Sequence, residues 1–328
     1  MKTYLFITID TEEDLWGEYA VKHPSVENIK KIHTLQEIFA KYNAVPTYLI
    51  NYPVATDAYS IDVLSGLLQK KRCDIGTHCH PWNTPPFHDE GVTERHSYMC
   101  NLPEKLILDK MAQLHNAIKK NFHFTPTVFR AGRWGVGPNV IRTIKMLGYQ
   151  IDTSLHFMSW EKNSIHKICI NKYETVYSEG SDIFCGRLRC NMCNESKYIL
   201  EIPPTIGFLQ NNFLLCNKLK TLIQNSFLRR FRLIGVLDRL RLLNFRVLSP
   251  EISSFEDMVK LSKAMMKNGY KYLNLTFHST SLIAGKSPFV NNEHELDQFL
   301  KKIERYLEFL KKENVICIGM SKAREVLT

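Results

Sequence analysis

Two imidazoles stand one residue apart, His78 and His80, in the stretch DIGTHCHPWNTPP over residues 74–86. A second polar pair with the same spacing, Asp10 and Glu12, closes the apolar opening run in ITIDTEED. In an extended chain residues i and i+2 point to one side, so each pair presents its side chains together. Two imidazoles and one carboxylate form a facial set of three ligands with room for water, a common build for a catalytic zinc site. A carboxylate left beside such an ion can act as general base on water. Further polar clusters carry Arg130 in FRAGRWG, Asp152 in IDTSL and His278 in LTFHSTSL. Each has an ordinary alternative. Asp10 and Glu12 run into Glu13 and Asp14 and read as a solvated acidic loop. Arg130 reads as a surface ion pair, with Arg133 a competitor for its role. Asp152 reads as a turn cap, and His278, among Thr276, Ser279 and Thr280, as a satisfied core histidine. What favours chemistry is that every cluster directly follows an apolar, strand-like run.

The elements that must position these residues alternate. Strands are expected at Tyr4–Ile9, from Val45, and at Asp74–Thr77, Val128–Arg130, Ile151–Ser154, Ile199–Ile202, Tyr272–Phe277 and Val315–Gly319. Helices are expected at Val26–Tyr42, Ser60–Lys70, Pro103–Asn121, Pro138–Leu147, Ser254–Asn268 and Glu293–Glu313. In the first of them Ile29, Ile32, Leu35, Ile38 and Phe39 recur at three- and four-residue spacings. Such alternation predicts a parallel sheet, closed or open, with its site at the carboxyl ends of the strands. Residues from about 156 to 250 break the rhythm and read as an insertion into one domain spanning 1–328.

A length of 328 residues suits one large α/β barrel, and a 44% hydrophobic content suits a globular protein. The net charge of +10 suggests anionic partners. No apolar run reaches the ~18 residues of a spanning helix. The opening MKTYLFITID enters a strand at once, so no leader is expected. Nine cysteines, an odd count, suit a reduced, cytoplasmic setting. Cys185, Cys190 and Cys193 in CGRLRCNMC include one knuckle-like pair without the second pair a structural zinc wants, so free thiols are expected. Residues 216–247 hold eight basic residues against Asp238 alone, with apolar residues at helical spacing. That pattern suits peripheral contact with an anionic membrane, or a barrel-flanking helix whose polar face is basic. No recognition motif accompanies the charge, so no nucleic-acid partner is expected.

In this order the motifs resemble the polysaccharide deacetylases, the family 4 carbohydrate esterases, over about 1–155 and 251–328. With its HPWNTPP stretch the chain looks closest to the branch found among surface-polysaccharide genes. The resemblance implies a distorted (β/α) barrel of seven or eight parallel strands with a basic, partly helical insertion. It implies metal-dependent removal of an N-acetyl group from a sugar of a polysaccharide or of a lipid- or nucleotide-linked precursor. It implies Asp10 as catalytic base, Glu12, His78 and His80 as metal ligands, and Arg130 as the group that orients the base. It implies His278 as general acid, with Asp152 as its supporting aspartate. The expected ion is zinc, with cobalt, nickel or manganese compatible with the same ligands. Trp82 and Trp134 follow the second and third motifs and suit stacking on sugar rings or core packing; Phe87 and His156 are further candidates for the cleft. The chain departs from the common pattern in placing Thr11 between Asp10 and Glu12, and only Cys79 between the histidines. Cys79, His88 and Asp89 are therefore alternative ligands. Two other readings fit the residues: an amidase acting on a small non-sugar amide, and a non-catalytic glycan-binding or membrane-docking protein with a degenerate site.

Overall fold

The computed structural model describes residues 2–14, 16–17, 19, 24–87, 93–155, 173–176, 186–190, 199–227, 230 and 232–327, with backbone only for 173–176 and 186–190. In chain order the described strands are β1 (Tyr4–Thr11), β2 (Thr47–Ile50), β3 (Asp74–Cys79), β4 (Val128–Ala131), β5 (Ile151–Asp152), β6 (Tyr173–Val176), β7 (Gly186–Cys190), β8 (Ile199–Glu201), β9 (Ile206–Phe208), β10 (Phe245–Val247), β11 (Tyr272–His278) and β12 (Ile316–Cys317). The helices are α1 (Ile32–Lys41), α2 (Tyr52–Thr56), α3 (Ala58–Gln69), α4 (Glu104–Phe122), α5 (Pro138–Met146), α6 (Phe213–Asn225), α7 (Leu233–Arg239), α8 (Phe255–Lys267), α9 (Glu293–Lys312) and α10 (Ala323–Leu327).

Seven parallel strands run side by side in the order β11-β1-β2-β3-β4-β5-β8, and β7 and β6 continue the sheet antiparallel. The sheet curls into the expected distorted barrel. Among the described residues no strand ladder joins β8 to β11. The gap is bridged instead through Asn274 of β11: its N–H donates to Thr205 Oγ1 at 2.8 Å, its carbonyl accepts from Thr205 N at 3.0 Å, and its amide donates to Ile202 O at 3.2 Å.

The barrel strands are buried on both faces, which is why they read as near-continuous apolar runs. Along β1, Leu5, Ile7 and Ile9 pack outward with the helices, while Phe6 joins an inner cluster with Leu49, Val128, Ile151, Leu200 and Tyr272. Met320, Ala323 and Leu327, at and within α10, plug the bottom of that inner cluster. Two residues further up each strand the interior turns polar. This alternation lifts Thr8, Arg130, Thr153 and Asn274 into one buried layer, and Asp10, His78 and His278 into the next.

Local signals explain most boundaries. Ser254 and Asn292 cap α8 and α9 by accepting from Asp257 N and Glu295 N. Gly148 and Gly269 follow α5 and α8 at φ +87 and +82, a left-handed conformation open to glycine. Three expectations shift. The helix expected over 26–42 opens as a 3₁₀ turn, Glu27–Lys31, before α1. Helix α2 was not foreseen; Asn51 caps it through Val54 N. Strand β5 ends at Asp152 because Ser154 Oγ, not a backbone carbonyl, accepts the next N–H, that of Ala131. The stretch 156–250 contains the barrel strand β8, followed by the β9–β10 ribbon and the helices α6 and α7 between them. Among the described residues no helix is long and apolar enough to cross a membrane.

Candidate active site

Arg130 ties the site together. Fully buried, it uses every N–H it has: Nη1 donates to Asp10 Oδ1 at 2.5 Å and Thr276 Oγ1 at 2.9 Å, Nη2 to Thr8 Oγ1 at 2.8 Å and Thr153 Oγ1 at 3.0 Å, and Nε to Thr153 O at 3.2 Å. The Trp134 ring lies 4.9 Å from the guanidinium. Burial alone would raise the Asp10 carboxyl. The Arg130 charge, helped by His78 and His278, overrides burial and holds it below the usual range. Asp10 is thus a buried but ionised carboxylate. Its free oxygen, Oδ2, faces His278 Nε2 at 3.7 Å. Arg133 does not compete for this role; it donates to Ser97 Oγ and stacks over the Tyr98 ring.

Glu12, His78 and His80 converge on one point. Glu12 Oε2 lies 3.5 Å from His78 Nε2 and 3.3 Å from His80 Nε2, and the two Nε2 atoms are 2.9 Å apart. The outer nitrogens decide the chemistry. His78 Nδ1 faces the Arg130 carbonyl at 3.2 Å, and His80 Nδ1 faces the Glu13 carboxylate at 3.3 Å. Both partners only accept, so each Nδ1 can donate to its partner, which leaves each Nε2 able to turn a lone pair toward an ion at this point. Three acceptor lone pairs then point at one another in a buried site. A cation satisfies that arrangement, and donors about 2.0–2.2 Å from a tetrahedral zinc stand roughly 3.3–3.5 Å apart. Burial, with Glu13 and Asp10 nearby, pushes Glu12 up to about 7 against the pull of His80 and His278; a divalent ion at this point reverses that push.

The alternative ligands fare differently. Cys79 sits on the opposite side of β3, its thiol donating to Thr84 Oγ1 and pushed up to about 11 by burial. His88 and Asp89 lie outside the described residues. Gly132 passes so close to β3 and the residue after it that a Cβ there would stand 2.4 Å from His80 Cδ2 and 2.6 Å from the Cys79 carbonyl.

Asp152 does not support His278. Ile151 and Thr153 face the barrel interior, so alternation turns Asp152 away from it. Its Oδ1 accepts from Ser154 N at 3.1 Å and from Ser154 Oγ, and its carboxyl lies against Glu201, its register partner on β8. Burial and the Asp152 charge raise Glu201 well above its ordinary range. The partner of His278 is Glu251. Its Oε2 lies 3.0 Å from His278 Nδ1, and its Oε1 accepts from His278 N at 3.0 Å and Ser281 Oγ at 2.6 Å. Burial would lower the imidazolium; Glu251, with Glu12 and Asp10 beyond, overrides it and raises His278 to about 10.

Glu13 is the other residue the sequence concealed. Its Oε1 accepts from Trp82 Nε1 at 2.8 Å as well as from His80, and Asn51 Nδ2 donates to its Oε2. Against the upward push of burial, His80 and Trp82 hold this carboxyl at about 2. Trp82 is stacked on His80 with ring centroids 4.1 Å apart, so it backs a candidate ligand as well as lining the cleft. The loop carrying it is held by Lys110 of α4, whose ammonium donates to the carbonyls of Pro81, Thr84 and Pro86 at 2.8, 2.6 and 2.8 Å.

Above these groups opens a cleft of about 500 Å³. Its walls are aromatic, with Trp16, Tyr19, Tyr98, Trp134 and Phe289, and its floor holds Asp10, Glu12, His78, His80 and His278. Phe87 is exposed beneath the Lys110 ammonium and does not line it. His156, Cys185 and Cys193 lie outside the described residues, and of Cys190 only the backbone is described.

No protein-family model matches the sequence, and no curated protein does. Solved structures do resemble it. A protein of Parabacteroides distasonis assigned as a glycoside hydrolase or deacetylase superposes with a TM-score of 0.56 at 11% identity, covering 99% of this chain and 71% of that one. The 4-alpha-glucanotransferase of Thermococcus litoralis gives 0.50 at 11% identity, over 100% of this chain and 41% of that one. A protein of Mycobacterium smegmatis assigned as a polysaccharide deacetylase gives 0.49 at 11% identity, over 99% and 91%. At such identities the likeness speaks for the fold.

Proposed function

We propose that this protein is a metal-dependent deacetylase of the polysaccharide deacetylase family. Its substrate would be an N-acetylated sugar in a polysaccharide or in a lipid- or nucleotide-linked precursor. One observation carries the reading: three acceptor lone pairs from Glu12, His78 and His80 converge on a point, beside an ionised Asp10 and a carboxylate-backed His278. Five motifs in family order, and the fold shared with a protein assigned as a glycoside hydrolase or deacetylase, support the same conclusion. The HPWNTPP stretch supports the surface-polysaccharide branch.

A divalent ion held by Glu12, His78 and His80, with zinc the first choice, supplies Lewis acidity toward a carbonyl oxygen and lowers the pKa of a water. The chain's own residues do the rest. Asp10 Oδ1 is held by Arg130, which keeps the carboxylate ionised and leaves Oδ2 to take a proton from the attacking water. His278 holds its Nδ1–H against Glu251 and presents Nε2 to the cleft, where its proton can pass to the departing amine. Trp134 and the aromatic walls offer flat apolar faces that match sugar rings.

The test is metal content of the purified protein beside His78→Ala, with acetate release from N-acetylated sugars measured on both. About one ion per chain and acetate release, both lost in the variant, is the expected result. A wild type that stays metal-free after zinc addition would overturn the proposal and favour a binding protein on this scaffold.

A further inference from the structure

Helix α6 carries two apolar stripes where a barrel-flanking helix needs one. Phe213, Cys216 and Ile223 are buried against the body of the protein. On another side of the helix Leu215, Leu219 and Leu222, spaced i, i+4 and i+7, face solvent. Leu214 (70% exposed), Leu215 (60%) and Leu222 (61%) are among the most exposed large apolar residues described. Helix α7, which touches α6, adds Val236, and its exit adds Leu240 and Leu242, all exposed. Scattered exposed leucines are ordinary; a stripe continued on a neighbouring helix marks an interaction surface.

Charge identifies the partner. Lys218, Arg230, Arg232 and Arg239, from the same two helices and the turn between them, are exposed as well. The single acidic residue of the segment, Asp238, is engaged by Arg246 at 2.7 Å, and Arg241 is engaged by Asp257 at 2.5 Å. Apolar side chains rimmed by long cationic ones on short helices match the boundary between headgroups and acyl chains, into which leucines insert while Lys and Arg reach phosphate. A second copy fits less well, because a symmetric pairing of this face would set its cationic rim against itself. We infer that the α6–α7 face docks on an anionic lipid bilayer. The inference does not depend on the reaction catalysed in the cleft.

Sedimentation with vesicles of phosphatidylcholine, with and without phosphatidylglycerol, tests it on the full chain. The expected result is binding to the phosphatidylglycerol vesicles, weakened by salt. Leu215→Glu/Leu222→Glu lowers that binding more than tenfold with an unchanged thermal midpoint, since both side chains are exposed. Arg230→Gln/Arg232→Gln lowers it roughly fivefold per charge removed. No binding to phosphatidylglycerol vesicles at low salt would overturn the inference, as would equal binding by the double leucine variant. A wild-type dimer that this variant dissociates, with no lipid binding, would overturn it in favour of a self-interface.

Discussion

Replacing Glu251 by Gln should move the proton on His278 without removing the side chain that holds the ring. The carboxylate oxygen lies 3.0 Å from Nδ1. Two unit charges about 4 Å apart interact by about 4 kcal/mol at an effective dielectric of about 20, and about 1.36 kcal/mol corresponds to one pH unit. The imidazolium raised to about 10 in the wild type should therefore titrate near 7 in the variant. The sign follows from the direction of the shift: a raised folded value means that the proton stays on below it and leaves as pH rises through it. At about pH 9 the charged fraction falls from roughly nine-tenths to roughly one-hundredth, and at about pH 6 it hardly changes. Gln keeps Oε1 as acceptor for His278 N and Ser281 Oγ, so the ring stays in place. Two assays read the effect. Ring chemical shifts of His278 give the midpoint directly in protein stripped of divalent ions. The pH profile of kcat/KM on an N-acetylated sugar, with zinc present, should lose its alkaline side at lower pH in the variant. An ion beside Glu12 lowers the midpoint of both proteins and leaves their difference. A His278 midpoint unchanged by Glu251→Gln would refute the reasoning.

Three other perturbations follow from the same geometry. Arg130→Met leaves Asp10 buried without its partner and should cost about 3–5 kcal/mol in urea unfolding, with Asp10 pushed up by burial; a loss under about 1 kcal/mol would contradict the arrangement described. Gly132→Ala drives a Cβ into His80 Cδ2 and should weaken zinc binding more than tenfold in competition with a chromophoric chelator; wild-type affinity would mean that the ligand loop yields freely. Lys110→Met strands the carbonyls that hold the Trp82 loop and should cost about 2–3 kcal/mol in thermal or urea unfolding; an unchanged midpoint would show that the loop is held by other contacts.

The strand ends carrying Asp10, His78, Arg130 and His278 were legible because both faces of a parallel strand are apolar and the polarity changes abruptly where it ends. Their meeting in two adjoining interior layers follows from two-residue alternation. Alternation also removes Asp152 from the place assigned by resemblance, since the inward residue at that height is Thr153. Glu251 was missed because it sits just past the stretch without rhythm, in the turn before α8, where no expected strand end flags it. Glu13 looked like part of a solvated acidic run, yet it is buried against Asn51, His80 and Trp82. The two apolar stripes of α6 were hidden by their sum: periodicity announces an amphipathic helix and says nothing of which stripe is covered.

The ladder between β1 and β11 pairs Thr8 with Thr276, residues from opposite ends of the chain, and it sets Asp10 beside His278. The ion-holding side chains come instead from strands β1 and β3, with only β2 between them. Closing short loops precedes closing long ones, because the entropy lost grows with the length enclosed. A chain folding from its amino end would therefore assemble the candidate ion ligands Glu12, His78 and His80 before it acquires His278, the proposed general acid. An ion captured at that stage binds the partly folded chain in preference to the unfolded one and stabilises it by mass action. On the proposed reading such a cation would serve first as a template for one side of the barrel, and only later in the cleft above it.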